Sequence, residues 1–197
     1  MSGRPLEFDP ELALKAAINV FWDKGYEATS MQDLLTAMQI SKSSLYQTFG
    51  DKKNLFRQCL ARYIHDFANT MHQQLDAADS GWQFISQFIK SVQEDTRTAH
   101  ARRGCLVMNT ASGFAQRDAE TASDILAGIA VFRHVLETAI RRAQHEGDMP
   151  AQADASTMAL FVISSMSGLK IQVKAGVDTR SIEAIITIIL KTLRQDL

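Results

Sequence analysis

Helix start and stop signals crowd residues 9–57 so closely that only short helices folded back on one another satisfy them. Asp9-Pro10-Glu11 supplies a capping acid, a proline at the first helical position and negative charge in the first turn. Leu12, Ala13, Ala16, Ala17, Val20 and Phe21 then recur at helical spacing. Gly25 is expected to end this helix in a left-handed cap. Thr29 or Ser30 opens a second helix. Thr29 and Gln32 stand at capping-box spacing, and Met31, Leu34, Leu35 and Met38 form its inward face. Ser41 caps a third helix that Gly50 closes, and Asp51 caps a fourth that begins Lys52-Lys53-Asn54-Leu55-Phe56. This spacing predicts a compact three-helix unit feeding a long helix.

Beyond residue 57 the apolar periodicity lengthens. It predicts helices at roughly 52–76, 80–97, 104–114, 118–146, 151–175 and 179–195, with no strand alternation and no internal repeat. The expected class is therefore all-α, with about nine helices. Residues 1–51 form a small domain with an N-terminal arm, and residues 52–197 form a larger helical one. Only three prolines interrupt the chain. The last two helices are apolar on more than one side: residues 158–163 read Met-Ala-Leu-Phe-Val-Ile and 185–190 read Ile-Ile-Thr-Ile-Ile-Leu. Such helices need cover on more than one side, and a second copy of the chain is the expected cover.

The formal net charge is −1, so overall charge does not mark a polyanion binder. Over residues 1–57 seven bases and seven acids cancel. Within 42–57, however, Lys42, Lys52, Lys53 and Arg57 face only Asp51, so any nucleic-acid footprint is this patch plus Arg4. Cys59 and Cys105 are too few for a disulfide framework. The N-terminal residues lack the apolar segment of a signal peptide, and no run reaches the ~18 apolar residues of a membrane span. A cytoplasmic protein without a membrane partner is expected.

Residues 42–49, placed on a helix at about 100° per residue, put Leu45 and Phe49 together on one side. Ser43 and Gln47 fall opposite. Lys42 and Tyr46 flank that axis on one side, Ser44 and Thr48 on the other, and Ser44 is counted with the rest as a candidate DNA contact. An amide can bond adenine bidentately, and a serine hydroxyl suits several bases. Tyr46, Thr48 and Lys42 are suited to phosphates, which position a protein on the duplex. Thr29 and Lys52, at two helix starts, would clamp phosphates on either side.

This segment resembles the N-terminal domain of the tetracycline-repressor (TetR) family of transcriptional regulators. The matching residues are Gly25-Tyr26, Thr29-Ser30, Leu34, Ile40-Ser41-Lys42, Leu45-Tyr46, Phe49 and Lys52-Lys53-Asn54-Leu55-Phe56. Gly3-Arg4-Pro5 with Phe8-Asp9 looks like the arm of a subset of that family. The resemblance is specific over residues 3–57 and architectural beyond. It implies an all-helical homodimer with a helix-turn-helix domain that reads DNA and a ligand-responsive domain, acting in most members as a repressor. It also implies that Thr29, Lys42, Ser43, Tyr46, Gln47, Thr48 and Lys52 touch DNA, with Arg4 reaching the minor groove. One departure is Gln39, where the turn usually carries glycine. Either Gln39 takes a positive φ, at a cost on the order of 1 kcal/mol, or the turn is remodelled.

Gly104-Cys105-Leu106 with Asn109 and Ala111 is similar to a motif of family members that in a few cases sense electrophiles through the cysteine. Arg102, Arg103 and a helix N-terminus beside Cys105 would favour the thiolate. Trp82, Phe84, Phe88, Met108, Phe114, Phe132 and Phe161, with Cys105 and His134, are the candidates for an apolar effector pocket, although such residues serve equally as core. His65 and His72 stand seven apart, too far for a two-ligand metal box, and no metal or cofactor is expected. The leading reading is a homodimeric repressor that binds a palindromic operator and is released by an unidentified small molecule. An electrophile- or redox-sensing repressor acting through Cys105 is the alternative. A helical enzyme or carrier is the reading from another class, and the chain shows no nucleophile–base pair, phosphate-binding glycine loop or carboxylate pair to support it.

Overall fold

A computed structural model describes residues 8–95, 103–114 and 117–195. Among these residues it contains nine helices and no strand. They are α1 (Pro10–Ala28), α2 (Met31–Met38), α3 (Lys42–Phe49), α4 (Lys52–Ala77), α5 (Gly81–Asp95), α6 (Leu106–Gly113), α7 (Ala119–His145), α8 (Ala155–Ala175) and α9 (Thr179–Leu193).

The helix starts follow their side-chain caps. Asp9 accepts from the amides of Glu11 and Leu12, Ser41 from Ser44, Asp51 from Asn54, Asp118 from Thr121, Asp154 from Thr157 and Asp178 from Ser181. Each satisfies an amide that the first helical turn leaves without a partner. Asp154 also explains why α8 begins at Ala155 rather than near 151. The capping box at α2 differs from expectation. It is Ser30 with Asp33, the serine oxygen taking the Asp33 amide and the carboxylate taking the Ser30 amide, rather than Thr29 with Gln32. Gly25 does take a positive φ of 77°, but it kinks α1, which resumes for one more turn to Ala28. Gln39 takes the left-handed conformation (φ 55°, ψ 39°) as the C-cap of α2, so the turn keeps its shape and the glutamine carries the strain.

Two apolar cores result. The first gathers Leu14, Phe21, Leu34, Leu45, Phe49, Leu55, Phe56 and Leu60 with Leu106 from α6. The second gathers the inward faces of α5, α7, α8 and α9 with the far half of α4. The chain punctuation divides at residue 51, whereas α4 contributes its first half to one core and its second half to the other.

The long helix α7 holds α4 along its length. At one end Lys53 Nζ lies 2.6 Å from Asp118 and 2.8 Å from Glu120, and Arg57 grips Asp124 through Nε and Nη2 at 2.6 and 3.1 Å. In the middle Gly128 lets Ile64 approach so closely that a Cβ there would lie 2.5 Å from its Cδ1. At the far end Arg142 donates to the carbonyls of Leu75, Ala78 and Asp79. Among the described helices α8 is the one long and apolar enough to cross a membrane by length and composition, and it packs on α5, α7 and α9 here.

Candidate nucleic-acid interface and internal cavity

Leu45 and Phe49 are buried in the first core at 0 % and 4 % exposure, which fixes the rotation of α3. The opposite ridge is left open. Lys42, Ser43 and Gln47 are exposed, Tyr46 is 47 % exposed, and Ser44 and Thr48 are half-buried at its edge. The Ser41 hydroxyl, besides capping α3, lies 2.9 Å from that of Ser43 and 2.8 Å from that of Ser44, so the three oxygens form one cluster at the helix start. Gln47 carries an amide able to donate and accept at the centre of the ridge.

Lys52, at the start of α4, holds its ammonium 4.5 Å from the Tyr26 ring centre, which keeps the cation close to the edge of the three-helix unit. Thr29 does not match its expected role. It is 1 % exposed and its hydroxyl donates to the Gly25 carbonyl at 2.6 Å, bracing the kink in α1 rather than facing out. The basic patch read from the sequence is also thinner in space. Lys53 and Arg57 are committed to α7, which leaves Lys42 and Lys52 beside the ridge. The Lys53 ammonium is stabilised by its bonds to Asp118 and Glu120, so its affinity for the proton rises. Asp118 in turn is pulled down to about 2, first by Lys53 and then by the Thr121 amide. Lys24 pairs with Asp33 at 2.7 Å, and that bond with the Ser30 cap lowers Asp33 to about 2. Arg4 lies outside the described residues.

In the larger helical part, Phe88, Cys105, Met108 and Phe132 converge on a small cavity of about 50 Å3. Phe84 and Phe88 line an adjoining outer cavity of about 420 Å3. The other four candidates lie elsewhere. Trp82 packs under the Arg194 guanidinium at 5.2 Å. Phe114 packs on Tyr26, their ring centres 4.1 Å apart, at the junction with the first core. His134 is exposed on α7, and Phe161 is 39 % exposed on α8. Sequence periodicity alone missed Phe67, Leu136, Ile163, Met166, Ser167 and Lys170, which complete the inner cavity. Their inward direction is set by how α4, α7 and α8 cross, which local spacing does not encode.

Cys105 is half-buried at the N-cap of α6, with the Tyr63 hydroxyl 3.6 Å from its sulfur. Arg103 is turned away from it. Its guanidinium pairs with Asp23 at 2.6 Å, donates to Asn19 and lies over Trp22, so it is held on α1. Arg102 lies outside the described residues. Cys59 is buried in the first core, and burial pushes its thiol pKa up. No group of three metal-ligating side chains exists among the described residues, and His65 is bonded to Asn69 at 2.9 Å.

Comparison with known proteins bears on both halves. Residues 13–59 match the family model described as bacterial regulatory proteins, tetR family, and residues 81–189 match the tetracyclin repressor-like C-terminal domain. The chain is 28 % identical over 193 residues to the HTH-type transcriptional repressor ComR of Escherichia coli (strain K12), an alignment covering 98 % of this chain and 90 % of ComR. It is 28 % identical over 192 residues to the uncharacterized HTH-type transcriptional regulator YezE of Bacillus subtilis (strain 168), covering 97 % and 99 %. Among solved structures it is similar to a cysteine mutant of the TetR family transcriptional regulator CifR complexed with 26 bp double-strand operator DNA. The TM-score is 0.82 at 30 % identity over 95 % of this chain and 98 % of that one. The reduced form of E. coli NemR shares the fold, with a TM-score of 0.84 at 14 % identity over 95 % and 98 % of the two chains.

Proposed function

This chain belongs to the TetR family of bacterial regulatory proteins, and from that premise we propose that it is a homodimeric repressor that reads a palindromic operator through α3 and lets go when a small molecule fills the cavity. The observation that carries the proposal is the open ridge of α3, with Ser43, Tyr46 and Gln47 exposed opposite buried Leu45 and Phe49. Gln47 and Ser43 read bases; Lys42, Tyr46, Thr48 and Lys52 hold phosphates. Ser44 supports the helix start through its bond to Ser41. Arg4 reaches the minor groove. Operator-bound CifR, similar over nearly the whole chain, supports DNA as the partner. The protein acts by binding, in the cytoplasm, rather than by catalysing a reaction.

The dimer surface in this reading is the outer face of α8 and α9. Leu160, Phe161 and Ile171 on α8 and Ile188 on α9 are exposed, the last two at 62 % and 64 %. Apolar side chains gathered in this way mark an association surface. Gly168, whose Cβ would meet nothing within 4 Å, leaves room for a close helix crossing at the centre of the α8 stripe. Paired recognition helices then sit about 34–36 Å apart, one DNA turn, or at a related spacing.

The carrying test is operator binding by substituted proteins. Gln47→Ala is expected to cost about 1–3 kcal/mol of discrimination at one base position. Tyr46→Phe is expected to weaken all sequences alike. Unchanged operator binding in both proteins would refute α3 as the reading helix. One observation favours a second reading of the signal: the Cys105 sulfur stands in the cavity wall, where an electrophile admitted to the cavity meets it. In that case Cys105→Ser abolishes release from DNA, whereas a reversible effector still releases the variant.

A further inference from the structure

The inner and outer cavities share a wall. Phe67, Phe88, Met166 and Lys170 line both the chamber of about 50 Å3 and that of about 420 Å3. From the chemistry at the two ends we infer that this double chamber takes a neutral, slender amphiphile. Its apolar end enters the inner chamber beside Cys105, and its hydrogen-bonding head stays at the outer mouth between Gln74 and Gln87. The biological meaning rests on the effector reading above; the binding itself does not.

The inner chamber is walled mainly by apolar side chains, with Ser167 and Lys170 as its polar members. About 50 Å3 admits only a few atoms, since a single water needs roughly 10–15 Å3 of such space. Phe67 meets Phe132 edge-on at 5.0 Å and lies 6.4 Å from Phe88, so packed aromatic rings form part of this wall and only the narrow space beside them is open to an apolar group. The Ser167 hydroxyl in this wall is already donated to the Ile163 carbonyl at 2.7 Å. A polar ligand atom placed here would lose its water and gain no free donor from that side chain.

The outer chamber lies within the roughly 300–1,000 Å3 of small-molecule sites. Its lining holds one carboxylate, Asp79, and one ammonium, Lys170, so formal charge cancels. Both already hold a contact: Asp79 accepts from the Gln83 amide at 3.0 Å, and Lys170 is engaged within the protein. Thr70 and Ser91 donate their hydroxyls to the carbonyls of Asp66 and Phe88. Gln83 spends both ends of its amide on Asp79. Gln74 and Gln87 are left, exposed at the mouth, offering a donor and an acceptor each. A hydroxyl, amide or carbonyl head is satisfied there. An ionic head of either sign would be partly desolvated beside a lining of zero net charge, where the group that attracts it is offset by one that repels it.

The test is calorimetric titration of the full chain with 4-propylbenzyl alcohol, 4-propylbenzoate, 4-propylbenzylammonium and propylbenzene at neutral pH. The alcohol is expected to bind at least about tenfold more tightly than either ion. Gln74→Ala with Gln87→Ala, both surface changes, should weaken the alcohol about three- to tenfold and leave propylbenzene unchanged. Cys105→Ser should leave alcohol binding intact. The inference is overturned if an ion equals the alcohol, if the double glutamine variant is indifferent, or if the alcohol does not bind at about 1 mM. Operator release measured in parallel separates the two ideas. An alcohol that binds without releasing DNA upholds the ligand class and refutes the effector role. An ion that binds best and releases DNA does the reverse.

Discussion

At the scale of single residues, the same side-chain type takes opposite roles according to what surrounds it. Lys42 and Lys53 lie eleven positions apart in one basic patch of the sequence. In space Lys42 stands at the open ridge of α3, while Lys53 is bound to Asp118 and Glu120. Thr29 shows the same divergence, with its hydroxyl turned inward to Gly25. Gln39 is the one non-glycine with positive φ among the described residues. A left-handed conformation costs an L-residue about 1–2 kcal/mol, and glycine gives back part of that through its greater freedom in the unfolded chain. Gln39→Gly is therefore expected to stabilise the protein by about 0.5–1 kcal/mol, read from the urea midpoint with an unchanged denaturant slope. A lower midpoint would mean that the glutamine side chain contributes more than its backbone costs.

Between elements, the decisive contacts are those that hold α7 to its neighbours. Gly81 starts α5 so close to α7 that a Cβ would lie 2.3 Å from the Ala139 carbonyl oxygen and 2.6 Å from the Ala143 amide nitrogen. Its amide also donates to Glu146 at 2.8 Å, which lowers that carboxyl. Backbone cannot move aside as a side-chain tip can. Gly81→Ala should therefore cost about 1–3 kcal/mol in chemical denaturation, and more than Gly128→Ala, whose Cβ meets the Ile64 side chain rather than backbone. The ion cluster at the other end of α7 predicts a pH dependence. Asp118 has its pKa lowered from 3.8 to about 2, so its stabilising effect is complete above about pH 4 and is lost as pH falls through about 2. Lys53→Met should remove most of that dependence between pH 4 and 2, as read from melting temperature against pH. An identical slope in the variant would assign the loss to other carboxyls.

For the whole molecule, the two cores meet along α4 and α6. Leu106 belongs to the first core and Val107 to the second, and Phe114 at the far end of α6 stacks on Tyr26, whose ring lies under Lys52. If a cavity ligand shifts α6, as the proposed effector reading requires, the packed rings would carry that shift to the edge of the three-helix unit. A coupling of about 1–3 kcal/mol, common in allostery, would change operator affinity roughly 5–150-fold. The uncovered face of α8 and α9 sets the assembly prediction. Ile188→Glu, at a position 64 % exposed, should leave the fold intact but yield a monomer by light scattering and lose tight binding to a two-half-site operator. A dimer that survives this change would place the interface elsewhere.

Helix number, most helix starts and the rotation of α3 were legible in the amino-acid order because each depends on neighbours within a turn or two. A serine or aspartate caps the amides just ahead of it, and Leu45 with Phe49 defines one side of a single helix. The sequence likewise showed that α8 and α9 carry more apolar surface than one face can hide. Only the tertiary structure decided that Phe67, Met166 and Lys170 border the cavity while Trp82, Phe114, His134 and Phe161 do not. It also decided that Lys53, Arg57 and Arg103 serve α7 and α1 instead of a phosphate or a thiol. Those outcomes turn on how helices distant in the chain cross, and on which opposite charge lies within reach once they have.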